Sequence, residues 1–279
     1  MACTVTSIIN MKGGVGKTTI TTNLAYYLAN FKGKKVLIID FDPQSNSSSA
    51  FLTFEKYEKL LEERKVISEI FTDIDRIVGP VSKKNPKLLS LDDITTSVHS
   101  FSSGGTIDLI ASELELSKVL ERAGGSALEE RLQLLLDAKK ERYDFVLIDC
   151  SPTFSVLTTN ALKASNNVLI PVKPDPFSAR GIPMLLGKID QHNSLNPSRK
   201  VSILGIVFNM VRDNLRYMDT VKAQILTNHK NVFRTELLLT EHYSKGLLDN
   251  KMIFETNAQE QFKTNFIKFG EEYLKKVGG

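Results

Sequence analysis

Residues 10–19 read Asn-Met-Lys-Gly-Gly-Val-Gly-Lys-Thr-Thr, NMKGGVGKTT. The stretch follows a short apolar run, TVTSIIN (4–10), and opens a helical pattern over 18–31. Strand, glycine turn, helix is the context that a phosphate-binding loop requires. Glycine lets the backbone turn tightly and brings its N–H groups close to phosphate oxygens. The helix start directs its positive end at the anion. On this reading Gly13, Gly14, Val15, Gly16, Lys17, Thr18 and Thr19 form the nucleotide-binding set. Lys17 reaches the β- and γ-phosphates, and Thr18 places its hydroxyl on Mg²⁺. Lys12, five positions before Lys17, is one lysine more than such a loop uses.

The loop needs acidic partners, and the next apolar run supplies them in IIDFDPQSNSSS (38–49). Asp40 and Asp42 lie at the carboxyl end of an expected parallel strand, the rim where ligands bind in such sheets. One of the two can serve the water shell of Mg²⁺ and the other can orient an attacking water. Asp149 closes a third run, DFVLID (144–149), and an apolar strand ending in Asp is the usual second half of a nucleotide–Mg²⁺ site. No Asn-Lys-x-Asp motif for reading guanine occurs.

Apolar runs alternate with helical patterns along the chain. Strands are expected at 4–10, 35–40, 106–111, 143–149, 167–172 and 201–209. Several are continuously apolar, as strands buried on both faces are. Helices are expected at 18–31, 55–72, 112–122, 126–140, 155–164, 178–192 and 215–228, then near 240–248 and 257–276. This order predicts an α/β fold: a doubly wound, mostly parallel sheet with helices on both faces. Residues 73–105 are polar and Gly/Pro-rich and read as a surface excursion. With no linker visible, the 279 residues are expected to form one domain.

Composition narrows the function classes. The hydrophobic share is 42% and the charged share 24%, ordinary for a globular protein, and no apolar run approaches the ~20 residues of a spanning helix. Two cysteines, Cys3 and Cys150, with no CxxC, argue against a disulfide framework and a zinc or iron–sulfur site within one chain. The expected location is cytosolic. Net charge is +4 but uneven: from Ser151 onward there are 17 Lys and Arg against 11 Asp and Glu. A basic second half suits nucleic acid or an anionic membrane surface, although a solvated cationic face gives the same balance.

The stretches KGGVGKTT (12–19), DFDPQSN (40–46), DFVLIDCSPTFSVLTTNAL (144–162), VLIPVKPDPFSARGIPMLL (168–186) and ILGIVFNMV (203–211) resemble the ParA/MinD family of deviant-Walker-A P-loop ATPases. DPQSN and the short N-terminus point to ParA-type partition ATPases without a helix-turn-helix region. The resemblance implies ATP and Mg²⁺ as cofactors and a homodimer in the ATP state. In it Lys12 reaches across the interface to the phosphates held by the partner. It implies that Asp42 orients the hydrolytic water, that Asp40 and Asp149 hold the water shell of Mg²⁺ with Thr18 as direct ligand, and that Asn209 hydrogen-bonds adenine. PDPF (174–177) is then the loop beside the nucleotide.

The resemblance further implies slow hydrolysis stimulated by a cargo-bound ParB-like adaptor, non-specific DNA binding in the ATP state, and a cytoplasmic, nucleoid-associated location. Its DNA contacts would come from Arg212, Arg216, Lys222, Arg234, Lys245 and Lys251. Close relatives often carry arginine just before a Ser/Thr-Glu pair, whereas this chain has Leu238 and Leu239 before Thr240-Glu241. MinD-type relatives end instead in a membrane-targeting helix. Phe262, Phe266, Phe269 and Tyr273 form an apolar stripe flanked by Lys263, Lys268, Lys275 and Lys276, which suits either a membrane or a core contact.

Overall fold

A computed structural model describes residues 3–72, 89–121, 128–138, 140–212 and 215–278. Seven strands form one sheet: β1 (Thr4–Ile8), β2 (Lys35–Phe41), β3 (Thr96–Ser100), β4 (Thr106–Ile110), β5 (Phe145–Cys150), β6 (Asn167–Val172) and β7 (Ser202–Phe208). Their order is β3-β4-β2-β5-β1-β6-β7. Every pairing is parallel except β3 with β4. The six expected strands are all present, and the sheet is doubly wound and mostly parallel as the alternation predicts.

Strand alternation sorts the apolar residues into two cores. Leu37, Ile39 and Phe41 of β2 and Val146 and Ile148 of β5 face one layer, which includes Leu157 and Ala161 of the helix Val156–Ala164 and Leu185 and Ile189 of the helix Ser178–Leu195. Val36 and Ile38 of β2 and Phe145 and Leu147 of β5 face the other, with Ile20 and Leu24 of the helix Lys17–Tyr26 and Phe266, Phe269 and Tyr273 of the helix Glu260–Gly278. Asp40 continues the Val36–Ile38 series and Asp149 the Phe145–Leu147 series, so both carboxylates belong to the face covered by Lys17–Tyr26.

Three of the four stripe residues on Glu260–Gly278 are core: Phe266, Phe269 and Tyr273 are fully buried and the Tyr273 hydroxyl lies 2.8 Å from Thr6 Oγ1, whereas Phe262 is half-buried. A Cβ at Gly270 would run into the Tyr27 ring, so only glycine admits this helix so close to its neighbour.

Three expectations need correction. The helix expected over 55–72 is broken after Glu62, because Arg64 turns left-handed (φ 54°) and Val66 bridges to Ala111 as an extension of the sheet; residues 69–72 are helical again. The segment 73–105 is not all excursion: residues 91–94 form a helical turn and 96–100 are the antiparallel edge strand β3, while 73–88 lie outside the described residues. A four-residue helix, Asn46–Ser49, follows β2 where none was expected.

Candidate nucleotide site

The loop after β1 has the conformation its glycines predict. Gly14 (φ 71°) and Gly16 (φ 86°) are left-handed, a region costly for residues with a Cβ. A Cβ at Gly16 would also run into the Asn209 side chain, whereas Gly13 and Gly14 face open space. Gly16 caps the helix that starts at Lys17 and carries Thr18 and Thr19 in its first turn, so the N–H groups of that turn surround the loop.

Lys17 is 7% exposed and its Nζ lies 3.5 Å from the Lys12 carbonyl. Burial lowers the pKa of its ammonium, opposed by the charges of Asp149 and Asp42. An incoming polyphosphate would replace that weak carbonyl contact with full negative charge.

Asp40 and Asp149 are register neighbours on β2 and β5, and both are buried. Asp149 Oδ2 accepts hydrogen bonds from Thr18 Oγ1 and Ser47 Oγ, each at 2.7 Å. Asp40 Oδ2 accepts the Ser48 amide and the Ser48 hydroxyl, each at 2.7 Å, and Asp40 Oδ1 accepts the Asp42 amide at 3.3 Å. Burial pushes both carboxyls above the usual range. Beyond burial, Asp40 is raised further by the neighbouring Asp149 charge. Asp149 Oδ1 is buried without a hydrogen-bond partner, an expensive state for a carboxylate oxygen. Two adjacent carboxylates, one orphaned oxygen and the Thr18 hydroxyl form an all-oxygen donor set that fits a hard divalent cation such as Mg²⁺.

Ser47 and Ser48 are the residues that motif reading missed. Successive positions of one helical turn reach the ends of two different strands, and Ser48 Oγ also accepts the Ser112 amide at 2.9 Å. The signal was present as the serine run after DPQSN, but it gains meaning only once Asn46–Ser49 is known to sit against Asp40 and Asp149. Asp42 lies just beyond β2 at 9% exposure, its Oδ1 accepting the Gln44 amide at 3.0 Å.

Lys12 and Asn209 are both engaged within this subunit. The Lys12 ammonium pairs with Asp175 of the PDPF stretch and lies 5.8 Å above the exposed Phe177 ring. Burial pushes the Asp175 carboxyl up, but Lys12 and Ser178 outweigh it and hold it below the usual carboxylate range. Asn209, 2% exposed, donates its amide to the Val15 carbonyl at 2.8 Å and so props the glycine loop from below.

The basic candidates divide into two groups. Arg212, Arg216, Arg234 and Lys251 are exposed and their side chains form no ion pair among the described residues, although the Arg234 amide donates to Glu272 Oε1 at 2.7 Å. Lys222 is mostly buried and pairs with Glu236 (2.9 Å) and Asp219 (3.2 Å), and Lys245 pairs with Glu241 (2.7 Å) one helical turn away. Leu238 bridges to Val211 in parallel, just before Thr240-Glu241.

A family model described as AAA domain matches residues 3–201. The chain is 35% identical over 246 residues to the chromosome-partitioning ATPase Soj of Treponema pallidum, covering 86% of each. It is 32% identical over 237 residues to the sporulation initiation inhibitor protein Soj of Bacillus subtilis, covering 84% of this chain and 81% of that one. A solved structure of a putative plasmid partition protein from Borrelia burgdorferi, bound to AMPPNP, superposes with a TM-score of 0.74 at 24% identity over 98% of both chains, a likeness of fold. Glycine loop, paired strand-end aspartates and full-length relatives converge: the chain belongs to the ParA/MinD family of P-loop ATPases.

Proposed function

We propose that this protein is an ATP-switched partition or positioning ATPase, a single domain that closes into a homodimer on Mg²⁺-ATP and then binds DNA non-specifically. The observation that carries the reading is the cluster of Lys17, Thr18, Asp40 and Asp149 around an open glycine loop. Thr18, Asp40 and Asp149 would hold Mg²⁺, which supplies charge neutralisation for the phosphates. Lys17 and the backbone N–H groups of 13–19 bind and orient the polyphosphate. Asp42 accepts a hydrogen bond from the attacking water and fixes its direction.

Lys12 supplies a second positive charge from the facing subunit, in a water-poor interface where such a charge counts for more than in bulk water. Its present pairing with Asp175 must open for that to happen. Asn209 supports the loop through the Val15 carbonyl, and its side chain would also hydrogen-bond the adenine. A cargo-bound ParB-like adaptor would stimulate slow hydrolysis and so release the dimer from nucleoid DNA in the cytoplasm. The cargo class covers a plasmid, a chromosome region or a protein assembly.

DNA contact is assigned to the exposed Arg212, Arg216, Arg234 and Lys251, with Lys245 at the margin. The paired Lys222 acts in the fold. Membrane cycling is disfavoured by the burial of Phe266, Phe269 and Tyr273, three of the four stripe residues; the fourth, Phe262, is half-buried and lines a hollow with Val211, Leu238 and Leu239. The test is DNA retention by the purified chain with and without Mg²⁺-ATP. Retention should require ATP and fall steeply between about 50 and 200 mM salt. An ATP-loaded protein that ignores DNA at low salt overturns the reading.

A further inference from the structure

At the end of the sheet away from β1 lies the edge strand β3, which no other described strand covers. β3 pairs only with β4, and beyond that ladder no backbone group of residues 96–100 bonds to another described residue. Unpaired N–H and C=O groups of an edge strand are a template for a further strand. Natural edges are commonly blunted by lysine, proline or a bulge; β3 reads Thr-Ser-Val-His-Ser, with no lysine or proline, and its ladder with β4 slips once, at Val98, between Ser97 and His99.

A hollow of about 260 Å³ lies between this edge and the helix Phe54–Glu62. Phe51, Leu52, Leu60 and Val98 give it apolar walls. Its charged lining is Lys56, Lys59, Lys65 and Glu63. The charges of the helix are segregated: Lys56 and Lys59, three positions apart, line the hollow, whereas Glu55, Glu58 and Glu62 do not. Glu63 is shared between Lys65 (2.8 Å) and Lys59 (3.7 Å), so it cannot neutralise all three lysines. The result is a backbone template, an apolar recess and a cationic rim within one short stretch of surface.

We propose that this groove docks an extended acidic segment of a partner protein, which adds as a strand to β3, sets an apolar side chain into the hollow and places carboxylates against Lys56, Lys59 and Lys65. Strand addition takes affinity from main-chain hydrogen bonds and specificity from alternate side chains, and a strand edge with a recess on one side suits that division. Duplex DNA would use the lysines but neither the recess nor the edge, so the peptide accounts for more of the observed surface.

The test uses the full chain and a fluorescein-labelled peptide of alternating Glu and Val, read by anisotropy at low salt. An alternating Lys and Val peptide and a DNA duplex serve as comparison probes. The Glu peptide should bind and the Lys peptide should not. Binding should slow hydrogen exchange at residues 96–100. The double substitution Lys56→Glu, Lys59→Glu should weaken it roughly tenfold, since each exposed ion pair is worth a factor of a few. Both lysines are exposed, and Lys59→Gln gives a milder second variant with a smaller loss in the same direction. Three results each overturn the proposal: no binding up to about 1 mM peptide, binding unchanged in both variants, or binding without protection of 96–100. Loss of duplex affinity in the variants, with the Glu peptide ignored, reassigns the lysines to nucleic acid and also overturns it.

Discussion

The nucleotide site and the basic surface of the C-terminal third both rest on charged side chains, yet they are built in opposite ways. At the site Lys17, Asp40 and Asp149 are buried, and each is fixed by neighbours that are themselves fixed, Thr18, Ser47 and Ser48 among them. On the surface Arg212, Arg216 and Arg234 stand in solvent. A buried charge network is all-or-none, because removing one member leaves others unsatisfied. A solvated basic face is additive, because each phosphate contact contributes its own small share. The difference sets how sharply each region responds to substitution.

The largest effect is expected at Asp42. Asp42→Ala should lower ATP turnover about 100-fold or more while leaving ATP binding in place, as loss of a positioned base does. Single-turnover hydrolysis alongside equilibrium nucleotide binding separates the two. Ser48→Ala comes next: it removes a hydroxyl from Asp40 and an acceptor from the Ser112 amide. A loss of about 1–3 kcal/mol in urea unfolding is expected; a loss near zero would show the network to be looser than its distances imply.

Lys12 tests the boundary between the two kinds of charge, being half exposed and paired in cis. Lys12→Ala should abolish ATP-dependent dimerisation on a sizing column while nucleotide binding persists. Asp175→Asn should release Lys12 and lower the ATP concentration at half-dimerisation by a factor of up to about five, the worth of an exposed pair. The smallest effects belong to the surface. Arg216→Ala should reduce the salt slope of DNA binding by about 1. Lys222→Ala should instead lower the melting temperature and leave the slope alone, because its partners are Glu236 and Asp219.

Much of the fold was legible because its signals are local. The glycine loop, the continuously apolar strands and the aspartates at their ends each sit within a few residues of sequence. β3 escaped notice because its polar edge chemistry hides it: Thr96, Ser97, His99 and Ser100 show no apolar alternation, and the strand exists only because β4 offers it a ladder. The break at Arg64 was hidden for a similar reason, since the apolar pattern runs on while Val66 leaves to join Ala111. Within the site, Lys17, Thr18, Asp40 and Asp149 could be read from motif and strand-end position. Ser47 and Ser48 could not, because their meaning depends on two strands more than 100 residues apart in the chain, as the Ser47–Asp149 separation of 102 shows. The stripe on the C-terminal helix was readable as apolar, but periodicity alone does not say whether lipid or protein covers it; the Thr6–Tyr273 contact does.

That contact also bears on how the molecule is made. Thr6 and Tyr273 are 267 residues apart. At ribosomal speeds of roughly 5–20 residues per second, the β1 face stays uncapped for on the order of ten seconds to a minute after it leaves the ribosome. During that interval the glycine loop has its sequence but not its roof, and the nascent chain carries an open apolar layer that a chaperone can hold. The strand that leads into the loop is therefore roofed only once a helix made more than 250 residues later has closed over it.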